Sequence, residues 1–155
     1  MSITLLAFLI GVVAGLRALT APAAVSWAAR LGWVHLEGTP LAFLGFAVTP
    51  YIFTLLAIVE LISDQLPKTP SRKTPPQFIA RIMSGAFCGA AVGAHADLLI
   101  AGLAAGAVGA VAGTLGGYEL RTRLVRADRG VDLPIALLED AIAIGLAIWI
   151  VASVS

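Results

Sequence analysis

Apolar residues come in long blocks along this chain, separated by short polar segments. A helix that crosses a bilayer needs about 20 mostly apolar residues, because the hydrocarbon core is about 30 Å thick and each residue rises about 1.5 Å. Five blocks meet that need: Ile3–Thr20, Leu41 to about Gln65, Phe78–Ala94, Leu98–Tyr118 and Leu133–Ser153. They predict an all-α membrane protein of about five transmembrane helices, forming a single domain over residues 1–155. No Lys or Arg precedes Arg17, so the first block lacks the basic start of a signal peptide and reads as a retained helix.

The polar segments fit this plan. His95-Ala96-Asp97 is a tight turn that makes a hairpin of the third and fourth spans. Leu66–Gln77 carries four prolines and is expected to be extended. Ala21–Trp33 holds Trp27, Arg30 and Trp33 among small residues, which suits an amphipathic stretch at the outer interface. Asp132 is placed to cap the fifth helix, with Pro134 in its first turn. Pro50 lies inside the second span and Pro22 follows the first, and both suggest interrupted helices.

Composition narrows the class. Hydrophobic residues make up 59% of the 155 positions and charged residues only 12%. Adding the 16 glycines brings the apolar share to roughly 70%, against about 45–50% in a soluble domain. That excludes a disordered chain and disfavours a soluble globule of this size. A net charge of +1 gives no electrostatic reason to expect nucleic acid. A single cysteine, Cys88, excludes an intrachain disulfide framework and a cysteine-based zinc site.

The basic residues set an orientation. Lys68, Arg72, Lys73 and Arg81 lie in or beside the segment between spans two and three, and Arg121, Arg123, Arg126 and Arg129 between spans four and five. With five alternating spans these segments share one side, so the positive-inside rule predicts N-terminus in and C-terminus out. Glycines recur every four residues at Gly85, Gly89 and Gly93, and line the fourth span at Gly102, Gly106, Gly109 and Gly113. Gly11 and Gly15 repeat the pattern in the first. Such stripes let helix backbones approach closely within or between subunits, and a thin five-helix bundle favours a homo-oligomer. Gly11-Val-Val-Ala-Gly15 echoes Gly109-Ala-Val-Ala-Gly113, and Leu55–Glu60 echoes Pro134–Glu139, in the manner of an inverted repeat.

The chemistry-bearing positions are acids within apolar blocks. Glu60 and Asp64 share one face of the second span, and Glu139 and Asp140 flank a stripe of alanines in the fifth. Carboxylates at depth are costly unless paired, protonated or solvated. Three readings follow. The acids pair with basic residues at the headgroup boundary, including Lys68, Arg72, Arg121 or Arg123. They form a site for a proton or a hard cation such as Na⁺, Mg²⁺ or Ca²⁺. Or they are a carboxylate pair acting on a lipid. Arg17 is expected to reach the outer interface, the alternatives being an anionic group or an acid in the core. Arg17, Lys68, Arg72 and Lys73 are candidate contacts for a lipid phosphate. No phosphate loop, HExxH or GxSxG motif is present, and no cofactor is expected.

The segments Ala14–Pro22 (AGLRALTAP), Leu66–Arg72 (LPKTPSR), Gly116-Gly-Tyr118 and Ala136–Asp140 (ALLED) occur in that order. Together they resemble a family of small bacterial membrane proteins, domain-of-unknown-function family 4126. The resemblance covers nearly the whole chain and implies a multi-pass protein of the bacterial inner membrane. It implies no substrate or catalytic residues, but places Arg17, Thr20, the LPKTPSR segment and Glu139-Asp140 in the family pattern. The expected function is a small transporter or channel for an ion or solute, with an acidic cation or proton site. The alternative is a non-transporting membrane protein that binds anionic lipid or a protein partner through its basic loops.

Overall fold

A computed structural model gives the architecture, and it describes residues 2–63, 75–127 and 133–154. Among the described residues the chain is all-helical. The helices are α1 (Ile3–Leu16), α2 (Thr20–Arg30), α3 (Thr49–Ser63), α4 (Pro75–Ala94), α5 (Leu99–Ala127) and α6 (Leu133–Val154), with a short 3₁₀ turn at Ala42–Gly45. Three of them are long and apolar enough to cross a membrane, over Pro76–Ala94, Leu99–Leu124 and Leu137–Val154. At about 1.5 Å per residue, α1 and α2 reach only about 21 and 16 Å.

Glycine builds the centre. A Cβ placed on Gly11 would lie 2.1 Å from the Gly106 carbonyl oxygen, and one on Gly106 would lie 2.1 Å from that of Gly85. One on Gly89 would lie 2.2 Å from the Gly102 oxygen. Real side-chain carbons do not come so near, so α1, α4 and α5 touch backbone to backbone, as small-residue stripes permit. The tight turn at 95–97 joins α4 to α5, with Asp97 at φ 60°.

The glycine contacts also fix direction. Phe8 packs on Gly109 and Val12 on Gly113, so α1 runs parallel to α5. The five-span arrangement requires these two helices to be antiparallel, and the structure overturns it. The start of α1 therefore lies at the end of the bundle that holds the 95–97 turn, away from Arg81 and Arg121. The parallel pair also removes the inverted repeat, since its first two echoes point the same way.

The reason lies at Arg17, which is extended (φ −143°, ψ 107°) and ends α1 after 14 residues. The chain then reverses. α2 runs back along α3, with Trp27 Nε1 donating to Thr54 Oγ1 at 2.8 Å and the Trp27 ring meeting Tyr51 edge-on. Beyond α2, the His35 N–H donates to His95 Nδ1 at 2.9 Å, which returns the chain to the end where α1 began. α2 does not lie on an interface as its composition suggested. Ala21, Val25, Ser26 and Ala28 are buried, because small side chains let the helix sit among α3, α4 and α6. Ser26 Oγ donates to the Leu44 carbonyl at 2.7 Å and ties α2 to the 3₁₀ turn.

Prolines act as starters here rather than breakers. Pro50 and Pro75 lie in the first turns of α3 and α4, where a missing N–H costs little. The second block is thus shorter than predicted, and residues 75–77 are helical rather than extended. Asp132 lies outside the described residues. The outer faces of α3 and α6 are apolar, with Ile52, Leu55, Ile62, Leu138, Ile142 and Ile148 all exposed.

Candidate functional site at the helix break

The chain between α1 and α2 leaves the backbone groups of two helix ends to be satisfied inside the bundle. Water cannot do this in an apolar core, so side chains must. At the C-terminal end of α1, the Gly15 carbonyl accepts from Arg81 Nη1 at 2.8 Å and from Thr114 Oγ1 at 3.3 Å. The Leu16 carbonyl accepts from Arg17 Nη1 at 3.1 Å, and the Ala18 carbonyl accepts from Ser84 Oγ. These donors come from α4, α5 and the break itself. Two are cations, which also suits the negative end of a helix dipole.

At the N-terminal end of α2 the sign reverses. Glu60, on the last turn of α3, places Oε1 2.8 Å from the Ala18 nitrogen and Oε2 2.6 Å from the Leu19 nitrogen. Both N–H groups donate to it. A carboxylate from another helix thus caps α2, where the dipole is positive.

Arg17 is fully buried, and is the largest side chain so enclosed. Its Nε donates to Asp140 Oδ1 at 2.5 Å, and its Nη2 also contacts that oxygen. Glu139 Oε1 lies 3.9 Å from Arg17 Nη1, while Glu139 Oε2 lies 3.5 Å from Arg121 Nη1. Arg81 is six residues into α4 and Asp140 seven into α6, so the cluster sits about 10 Å inside the helix starts. Three arginines and three carboxylates balance in charge there.

Each residue singled out from the sequence now has a place. Glu60, Glu139 and Asp140 do converge at one level, from α3 and α6. Their partners are the guanidinium groups and backbone N–H groups of the break, and no group of three or more metal-ligating side chains occurs among the described residues. Arg17 does not reach the outer interface. The short α1 buries it, and its anionic partners are Asp140 and Glu139. Asp64, Lys68, Arg72 and Lys73 lie outside the described residues. Arg81, Ser84 and Thr114 escaped the sequence reading. Arg81 passed for a loop charge because α4 starts earlier than its apolar run, and the two hydroxyls carry no pattern of their own. His35 and His95, 60 residues apart, also meet, with rings stacked at 5.1 Å between centroids.

The match to known families spans this whole network. A family model described as Domain of unknown function (DUF4126) matches residues 4–153. The chain belongs to the DUF4126 family. All six charged residues of the break lie within the matched DUF4126 segment. No curated protein and no solved structure matches the chain.

Proposed function

We propose that the chain is a small multi-pass membrane transporter or channel for an ion or small solute, with the α1–α2 break as its working centre. One observation carries this reading. A fully buried arginine is held at a helix interruption by an acid from a different helix. Apolar residues of similar volume would fill that space at less cost in desolvation. Ionisable groups within membrane helices mark pathways and proton relays, and interrupted helices present backbone groups to a cargo.

Asp140 and Glu139 face arginines and Glu60 faces backbone N–H groups, a set of donors that suits a proton better than a metal as the coupling ion. Protonating Asp140 or Glu60 removes one negative charge from a balanced set and loosens Arg17 or the cap on α2. In this reading the basic segments face the cytoplasm of a bacterial inner membrane. Both chain ends then lie on the other side, because the short α1–α2 hairpin enters and leaves by the same face.

Proteoliposomes with an internal pH dye provide the test. The wild type should pass protons, or respond to an imposed pH gradient, well above protein-free vesicles. Asp140→Asn and Glu60→Gln should lower that flux at least tenfold while keeping a folded elution profile. Flux unchanged in both variants would remove the break from the mechanism.

A further inference from the structure

The chain has two histidines, and the fold brings both to the end of the bundle away from the break. His35 lies in the connection between α2 and the 3₁₀ turn, and His95 opens the tight turn between α4 and α5. Val34 and Leu36 are buried, at 2% and 3% exposure, while His35 between them is exposed and His95 half-buried. The His35 N–H donates to His95 Nδ1 at 2.9 Å, and the two rings stack with an angle of 16° between their planes. The turn at 95–97 is closed on itself, with the Ala96 and Leu98 N–H groups donating to the Gly93 carbonyl and that of Asp97 to the Ala94 carbonyl. Among the described residues the His35–His95 bond is therefore the one hydrogen bond that joins the α2–α3 connection to the α4–α5 hairpin.

The direction of that bond fixes a protonation state. A ring nitrogen that accepts an N–H carries no proton, so His95 is neutral with its proton on Nε2. Adding a proton at Nδ1 sets a donor against a donor and turns one member of the stack into a cation. A second proton, on His35, sets two cations face to face. Nearly parallel rings keep their in-plane lone pairs in nearly parallel planes, which suits stacking better than two bonds to one metal ion. The charged side chains on the elements at this end are Arg30 at the close of α2, Glu37 two residues past His35 and Asp97 two past His95. None of the three forms an ion pair among the described residues. The adjoining halves of α1, α3, α4, α5 and α6 add no charged residue, only Cys88, which is buried, and Tyr51, which meets Trp27. Met1 and Ser155 lie outside the described residues.

We propose that His35 and His95 form a pH-sensitive latch, closed when His95 is neutral and released when it takes a proton at Nδ1. The closed form binds fewer protons than the open one, so it gains as pH rises and is lost on acidification. Val34 and Leu36 keep the segment seated, so release is a local opening of the connection and not a loss of fold. The latch holds the flank made of α2 and α3 to the α4–α5 hairpin at one end, as Glu60 holds α2 at the other. It rests on the transport reading only for an effect on flux.

Nuclear magnetic resonance on the full chain in micelles tests it, because two histidines give only two sets of ring signals. At about pH 8 the His95 ring should show an unprotonated Nδ1 and a protonated Nε2. Between about pH 8 and pH 5, the window in which imidazole changes charge, protection of the His35 N–H against hydrogen exchange should fall at least about fivefold. The loss is measured against intrinsic exchange at each pH, and its midpoint should be that of the His95 ring. His95→Asn sets an amide oxygen near the place of Nδ1 and cannot titrate, so protection should persist at both pH values. His95→Phe keeps a ring to stack and offers no acceptor, so protection should be low at both. A proton on Nδ1 of His95 at about pH 8 overturns the latch. So does His35 protection that ignores the His95 titration, or a pH response that survives in His95→Asn. Should neither variant fold, the two wild-type titrations decide alone. A working latch without vesicle flux removes the transport reading and keeps the latch, and flux with a His35 N–H indifferent to pH does the reverse.

Discussion

Replacing Arg17 by methionine isolates the central ion pair. Methionine keeps most of the buried volume and removes the charge. Asp140 then loses the guanidinium whose Nε lies 2.5 Å from its Oδ1, in a side chain that is 11% exposed. Glu139 keeps Arg121 at 3.5 Å, so the loss falls chiefly on Asp140. Breaking a buried pair from one side costs about 3–5 kcal/mol. The Leu16 carbonyl also loses a donor, worth about 1 kcal/mol. Asp140→Leu takes the nearest carboxylate from the arginine instead and should cost a similar amount. The double variant removes both charges and should lie within about 2 kcal/mol of the wild type, because the desolvation cost goes with the pair. The coupling between the two sites is therefore about 4 kcal/mol or more. Reversible unfolding in mixed micelles, followed by far-ultraviolet circular dichroism, measures all four corners of the cycle. Additivity to within about 0.5 kcal/mol would refute the contact, since that is the behaviour of independent sites.

The glycine seam gives a contrast between two alanine substitutions. Gly106→Ala sets a Cβ 2.1 Å from the Gly85 oxygen and should destabilise by roughly 2 kcal/mol or more, while Gly116→Ala meets nothing within 4 Å and should stabilise by about 0.5–1 kcal/mol in the same unfolding assay. Equal effects at the two positions would contradict the backbone contact. Ser26→Ala leaves the buried Leu44 carbonyl without its 2.7 Å donor, so a loss of about 1–3 kcal/mol is expected by the same measurement. Alkaline phosphatase fused to either end of the chain should report the same compartment, because α1 enters from the end of the bundle where α6 finishes; opposite signals would restore an odd number of crossings.

The apolar blocks made the helical class and the later helices legible, since α4, α5 and α6 are long and continuous. The first block misled because hydropathy does not register a chain reversal. Ile3–Thr20 reads as one span, and only the partners of Arg17 and Glu60, far away in sequence, reveal that the helix ends at Leu16 and the chain turns back. Helix direction then changed with it, and α1 runs parallel to α5. The acids were legible as costly groups, and Glu60, Glu139 and Asp140 all reach the break. Their partners were not legible. Arg81, Ser84 and Thr114 reach the break through α4 and α5, and the caps they form follow from packing that no local spacing encodes.

The seam among α1, α4 and α5 has a mechanical consequence. Side chains that interlock can repack by changing rotamer, but main chain resting on main chain has no such freedom. These three helices form a rigid keel. Any relative movement of the helices must therefore come from the elements packed on it, α2 with α3 on one flank and α6 on the other. Glu60 and Asp140 bring those two flanks together at the residues that follow α1, Glu60 on the Ala18 and Leu19 N–H groups and Asp140 on Arg17.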